Sequence, residues 1–262
     1  MKEKRKLNKG GKILLLFTLV VSSIFLLRPF TVKADVNVNI NKETQIVTDL
    51  IGQYSINYTG DANFFGFYGY YENNNYNEMV KDTDFKATVD TIGKDKIVNS
   101  SIASLKKTDG ATQIEAAYLV WETSVQGKNN TDLVKKAANK AVYFAGSTDK
   151  GAFTKKVNAS YAAVDMREPH LGTKEYTFSC MYVDVTSVVQ KYGYGKYGVA
   201  NIPYAASMKT SNTDKGTHAG ESSSAWQLIV IEKNSKANVR AVSLKVGSHF
   251  NYQQENSKWT RN

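Results

Sequence analysis

The chain has 262 residues, of which 34 are Lys or Arg and 24 are Asp or Glu, a formal net charge of +10. Eight of the basic residues and one acidic residue fall in residues 1–34, so the other 228 residues carry only a formal +3. No basic stripe of the kind a nucleic-acid binder needs remains, and a single cysteine, Cys180, excludes an intrachain disulfide scaffold.

Residues 1–34 read as a secretory signal. Lys2, Lys4, Arg5, Lys6, Lys9 and Lys12 form a basic n-region, and Ile13 to Leu27 form an apolar h-region. Val32-Lys33-Ala34 supplies small residues at a signal-peptidase site, which places cleavage between Ala34 and Asp35. The apolar run is short of the ~20 residues that span a bilayer, and Arg28-Pro29 ends it. No stable membrane span is therefore expected after cleavage. The product is expected to be one domain over residues 35–262, secreted or at the cell surface. With no disulfide it must be stabilised by its core, which fits an exported protein of Gram-positive type.

Val36, Val38 and Ile40 alternate within Asp35 to Asp49, the pattern of an edge or entry strand. An aromatic tract follows, Tyr54 to Tyr76, in which tyrosines and phenylalanines alternate with Gly60, Gly66, Gly69 and a run Asn73-Asn74-Asn75. Tyrosine rings stack on sugars or grip protein partners at low entropy cost, and asparagines supply hydrogen bonds. Tyr68, Tyr70, Tyr71, Asn73 and Asn74 are the candidate ligand-binding residues. The same rings also fit a hairpin whose alternate aromatics enter the core.

Residues 79–111 are polar with short apolar pieces: Ile97-Val98 reads as a strand, and Ile102 to Leu105 as a strand or a short helix. Ile114 to Glu122 is a strong strand that sets Tyr118, Val120 and Glu122 opposite Ala117, Leu119 and Trp121. Ala141 to Ala145 is a further strand, ended by Gly146, and Lys174 to Val183 another. Asp184 to Gly193 is a short helix, with Asp184 or Thr186 at its N-terminus, Val185, Val188 and Val189 on one face, and Gly193 as its stop. Tyr197 to Ile202 returns as a strand, and Ser207 to Ser223 is a loop. Ser224 to Glu232 is the most apolar strand and is expected to be covered on both faces; Ala241 to Val246 alternates cleanly. About ten strands and one short helix near 184–192 make an all-β chain, a two-sheet β-sandwich or jelly-roll-like domain.

Four segments in this order resemble a known pattern: Glu115 to Trp121, Val183-Asp184-Val185-Thr186-Ser187-Val188-Val189, Gly195 to Asn201, and Ala225 to Glu232. Together with Arg240 to Gly247 they are similar to the N-terminal β-rich domain of bacterial adhesin-like cell-surface proteins, which often carry tandem β-sandwich repeats behind it. The resemblance implies a non-enzymatic surface or secreted binding module, with no catalytic residues to carry over. The chain shows neither a repeat array nor an apolar tail before Asn262, so free secretion and wall association both stay open.

Reactive motifs are sparse. His170, His218 and His249 lack metal-ligand spacing, although His218 stands near Asp214 and Glu221. Asp165 and Glu168 flank Met166-Arg167. Neither a metal nor a cofactor is expected, and Cys180 reads as a buried, inert thiol. The expected function is a non-enzymatic, adhesin-like binding module for an extracellular glycan or protein. The alternative is a secreted polysaccharide hydrolase using a carboxylate pair, with Glu115 or Glu122 as the acid. A third reading is a pore-former with a membrane hairpin over Asn99 to Gln113, whose alternation is interrupted by Lys106-Lys107.

Overall fold

Two antiparallel sheets face each other, and each carries a further layer on its outer side. The computed structural model describes residues 37–40, 45–65, 77–126, 131–167, 176–203, 223–247, 252–255 and 258–261. The larger sheet contains β1 (Asn37–Ile40), β2 (Gln45–Phe65), β4 (Ala111–Gln126), β7 (Tyr161–Arg167), β8 (Tyr176–Asp184), β10 (Ser223–Asn234) and β11 (Val239–Val246). Its order is β1-β7-β8-β4-β10-β2-β11. The smaller sheet contains β3 (Ser100–Leu105), β5 (Val142–Thr148), β6 (Gly151–Val157) and β9 (Gly195–Ala200), in the order β3-β9-β5-β6. A separate hairpin pairs β12 (Tyr252–Glu255) with β13 (Lys258–Arg261). The β1–β7 ladder alone is parallel among those described. Val36–Asn262 packs as one unit.

The all-β, sandwich-like architecture expected from the sequence is what forms. The helix content differs: besides the helix Thr186–Tyr192 there are helices at Glu78–Lys81, Lys86–Ile92 and Thr131–Asn139. These four are α1 (Glu78–Lys81), α2 (Lys86–Ile92), α3 (Thr131–Asn139) and α4 (Thr186–Tyr192). Asn99 to Gln113 is not a hairpin, because β3 and β4 belong to different sheets.

The main core lies between the sheets. Leu119 and Trp121 of β4, Met181 of β8, and Trp226, Leu228 and Val230 of β10 meet Val142 and Phe144 of β5, Phe153 of β6, and Tyr197 and Val199 of β9. Strand alternation sends the intervening residues outward. On β10 this corrects the expectation of cover on both faces: Gln227 is exposed and Ile229 half-buried, and the outer face closes over only at Ile231. Helix α4 seals one edge of this core. Asp184 Oδ1 accepts from Thr186 N (2.8 Å), Val188 and Val189 point inward, and Gly193, at φ +74°, ends the helix.

Outside the smaller sheet, Met79, Phe85, Val89 and Ile92 from α1, α2 and the turn between them pack on Ala145 and Ala200. Gly198 makes room for this layer, since a Cβ there would stand 2.4 Å from Met79 Cε. Lys196 of β9 fastens it with salt bridges to Asp82 (2.9 Å) and Asp84 (2.8 Å).

Outside the larger sheet, the cover comes from β2 itself. Residues 54–65 of β2 pair with β10, whereas residues 45–53 pair with β11. Val47 and Leu50 of β2, with Val242 and Leu244 of β11, pack on Ala116, Tyr118, Tyr182 and Ile231. Those four sit on the face of β4, β8 and β10 opposite the main core. The first half of β2 and β11 thus form a two-stranded ribbon folded back over the sheet. Chain length agrees with this path. Only four residues join Ile40 to Gln45, a reach of about 18 Å at most. β1 and the second half of β2 stand five strand spacings apart in the sheet, roughly 24 Å.

Polar groups in the core form two contrasting sets. Asn63, fully buried in β2, donates to Asn99 Oδ1 (2.9 Å) and to the Val199 carbonyl (2.9 Å), and accepts from Ser101 Oγ (2.6 Å). Trp226 Nε1 donates to the same Ser101 Oγ (2.8 Å). By contrast Trp121 Nε1, Thr123 Oγ1 and Ser224 Oγ are buried without a partner among the described residues. A lost partner strands buried groups, whereas an apolar isostere at an unpartnered hydroxyl removes a desolvation cost. Ser101→Ala should therefore cost about 1–3 kcal/mol, and Thr123→Val should be neutral or stabilise by about 1 kcal/mol. Urea denaturation checks this; the reverse order would contradict the network as described.

Candidate functional site

The ribbon covers only part of the larger sheet's outer face. Beyond it lies a groove of about 500 Å³, lined by Tyr58, Thr59, Gly60 and Asp61 of β2, Val120 to Glu122 of β4, Cys180 of β8, and Ala225 to Gln227 of β10. Register sets these residues side by side. Gly60, Gln227 and Val120 form one cross-strand row, and Ala225, Glu122 and Cys180 form the next. Tyr58 stands opposite Ile229, one row nearer the ribbon.

Tyr58 is 67% exposed, an unusual position for a large ring in a strand bordered by covered neighbours. Gln227 is exposed one row and one strand away, and Glu122 is exposed at the far end of the groove, two rows and two strands from Tyr58; Asp61, opposite Trp226, is exposed at the edge of the sheet. Asp61 Oδ1 accepts from Ala62 N (2.7 Å). Gly60 lets β2 run close to β10: a Cβ there would meet the Trp226 carbonyl oxygen at 2.2 Å. A flat floor, one exposed ring and a rim of amide and carboxyl groups make a surface able to stack one planar or ring-shaped group and hydrogen-bond its edges. Among the described lining residues there is no Lys or Arg, although the chain is basic overall.

Cys180 is not a nucleophile in this setting. Burial, reinforced by the negative charge of Glu122, pushes its thiol up to about 12, against the opposing pull of the nearby Gly247 backbone N–H. A group whose pKa is raised stays protonated as pH rises through its ordinary value. Glu115, the other strand carboxylate considered for acid catalysis, lies at a bulge in β4 opposite Ile231 and Glu232 and pairs with Lys233 at 3.1 Å. Seven residues separate it from Glu122, roughly 24 Å along the strand, so those two cannot act as a pair.

The tract residues Tyr68, Tyr70, Tyr71, Asn73 and Asn74 lie outside the described residues, as do Ala34, Asp35, His170, His218 and His249. Of the tract Tyr54 to Tyr76 the structure places the first part, to Phe65, which pairs with Ser223 at the rim of the sheet, three residues beyond Ala62 in the groove region. Tyr58 belongs to the same aromatic stretch, and Glu122 to the strong strand, but only cross-strand register puts them together. Asp61 and Gln227 carried no sequence signal beyond their polarity. Among the described residues no three His, Cys, Asp or Glu side chains are grouped as metal ligands, and no helix is long and apolar enough to cross a membrane. No protein-family model, curated protein or solved structure matches the chain.

The thiol gives a direct check on the groove's electrostatics. At pH 8 a thiol titrating near 12 carries about a thousandfold less thiolate than one at the ordinary value. Iodoacetamide should therefore label Cys180 in the folded protein about a thousandfold more slowly than in urea. Comparable rates in the two states would mean that the sulfur is not sheltered under the end of the ribbon.

Proposed function

We propose that the chain is a secreted or cell-surface, non-enzymatic binding module whose groove takes an extracellular glycan. The observation that carries this reading is the exposed ring of Tyr58 in a groove on the sheet's outer face that also exposes Gln227 and, at its far end, Glu122. A pyranose presents an apolar face to such a ring and hydroxyls to amide and carboxyl groups. The groove's volume falls within the usual range for small-molecule sites, roughly 300–1,000 Å³. The signal-like first 34 residues and the resemblance to adhesin-like domains support export and a surface role. The rest of the aromatic tract, beyond Phe65, would extend the contact, with Tyr68, Tyr70 and Tyr71 as further rings.

A second reading, a hydrolase using a carboxylate pair, draws on Glu122, which is exposed in the groove. It requires turnover of a bound polymer, and Glu122→Gln should then abolish turnover while binding persists.

Glycan-array binding followed by affinity electrophoresis tests the main reading. Tyr58→Ala should weaken binding about tenfold, the loss of one stacked ring. Because Tyr58 is exposed, the thermal midpoint should stay within about 2 °C. The triple variant Tyr68→Ala, Tyr70→Ala, Tyr71→Ala separates the tract from the groove. Unchanged binding in the Tyr58 variant would remove the groove from the account, and release of reducing ends from the ligand would favour hydrolysis.

A further inference from the structure

A second pocket lies at the opposite end of β4. It measures about 480 Å³ and is lined by Lys107, Thr112, Gln113, Ile114, Asp149, Lys150, Gln190, Gly193 and Tyr194. Gln113 and Val120 are seven residues apart on one strand, so this pocket sits about 24 Å from the groove. Five of its nine residues come from three connections. Lys107 follows β3, Asp149 and Lys150 form the β5–β6 turn, and Gly193-Tyr194 leads from α4 into β9.

The pocket is held in shape by bonds behind it. Tyr194 Oη donates to Glu232 Oε1 (2.7 Å), and Glu232 is fully buried while also accepting from Ser55 Oγ (3.1 Å) and Asn57 Nδ2 (3.3 Å). Gln190 Nε2 donates to the Ile114 carbonyl (3.0 Å), and Asp149 N to the Tyr194 carbonyl (3.1 Å). Gly193 leaves the entrance open. At φ +74° it tolerates no ordinary side chain, and a Cβ there would stand 2.9 Å from Asp149 Oδ1 and 3.3 Å from Lys150 Cε.

The charges in this frame are the reverse of those in the groove. Lys107 and Lys150 are exposed at the pocket and, like most exposed lysines here, form no salt bridge among the described residues. Two unpaired ammonium groups flanking one cavity attract an oxyanion. Asp149 restricts what kind. A small bare anion seated centrally would meet its negative charge, but a ligand carrying a hydroxyl on that side would donate to it. Gln113, exposed at the rim, adds both a donor and an acceptor.

We propose that this pocket binds a phosphate group carried on a hydroxylated scaffold, such as a polyol phosphate or sugar phosphate, with Lys107 and Lys150 on the phosphate and Asp149 on a neighbouring hydroxyl. The chain then has two binding sites of opposite electrostatic character at the two ends of one sheet, suited to joining a phosphate-bearing polymer to a second ligand held in the groove. The phosphate site does not depend on the glycan reading of the groove.

NMR or calorimetric titration of the whole chain with glycerol 3-phosphate, inorganic phosphate and glycerol as separate probes tests the proposal. Glycerol 3-phosphate should bind at least tenfold more tightly than either other probe, and more weakly as salt rises. The double variant Lys107→Gln, Lys150→Gln should lose at least tenfold in affinity with an unchanged thermal midpoint, since both side chains are exposed. Asp149→Asn should narrow the preference for glycerol 3-phosphate over inorganic phosphate. Tyr58→Ala should leave all three titrations unchanged, which keeps this result separate from that of the groove. No binding by the native chain, equal binding of inorganic phosphate, or undiminished binding by the lysine variant would each overturn the proposal.

Discussion

The way β2 divides its hydrogen bonds between two partners governs the rest of the molecule. A strand of 21 residues would reach some 70 Å if straight, far beyond the strands it must pair with. It instead gives its second half to β10 and its first half to β11, and bends between them. The bend carries the first half over the outer face of the sheet. That one path sets which part of the sheet is buried under Val47, Leu50, Val242 and Leu244, and which part remains as the groove. It also brings Gln45 back toward the edge where β1 pairs with β7.

Two forms of cover follow from the same demand. A sheet in this sandwich has one face on the main core, and its other face must be polar or protected. The smaller sheet solves this with α1 and α2, which place Met79, Phe85, Val89 and Ile92 on Ala145 and Ala200. The larger sheet uses its own strand. Where the ribbon stops, the outer face mixes polar residues, Gln227 and Glu122, with the exposed side chains of Ile56 and Tyr58. Ile56 and Tyr58 are neighbouring exposed apolar side chains on that face, and contiguous exposed apolar surface of this kind marks a binding site.

Much of the fold was legible in the sequence for a simple reason. β4 and β10 carry unbroken branched or aromatic runs because their main-core residues, Leu119, Trp121, Leu228 and Val230, are fully or almost fully buried. Helix α4 announced itself through its valine face and its terminal glycine. β2 did not, since its alternation is broken by Gly52 and Gly60 and its outward residues Ile46, Ile51 and Ile56 are apolar yet exposed. β6 hides for the opposite reason: Phe153 is its single buried apolar side chain, among lysines. The spacing Phe85, Val89, Ile92 was a helical signal in plain view, masked by the short length of α2. Gly146 does not end its strand as expected, because β5 continues to Thr148 with Phe153 lying directly opposite the glycine. The groove could not be read at all from sequence. It depends on register between strands far apart in the chain, which residue order does not display. The second pocket is similar, since Lys107 entered the sequence reading only as an interruption and Lys150 not at all.

The crossing of the ribbon over β8 is the claim on which the groove depends, and a single engineered thiol tests it. The Gly247 backbone N–H lies near enough to the Cys180 sulfur to favour its thiolate, so oxidation of the variant Gly247→Cys tests whether the end of β11 passes over Cys180. Under mild oxidation the variant should lose two hydrogen masses, resist alkylation at both sulfurs and unfold at higher temperature than its reduced form. Free alkylation of both thiols after oxidation, with no change in mass, would show that β11 ends elsewhere and that the groove is not bounded by the ribbon.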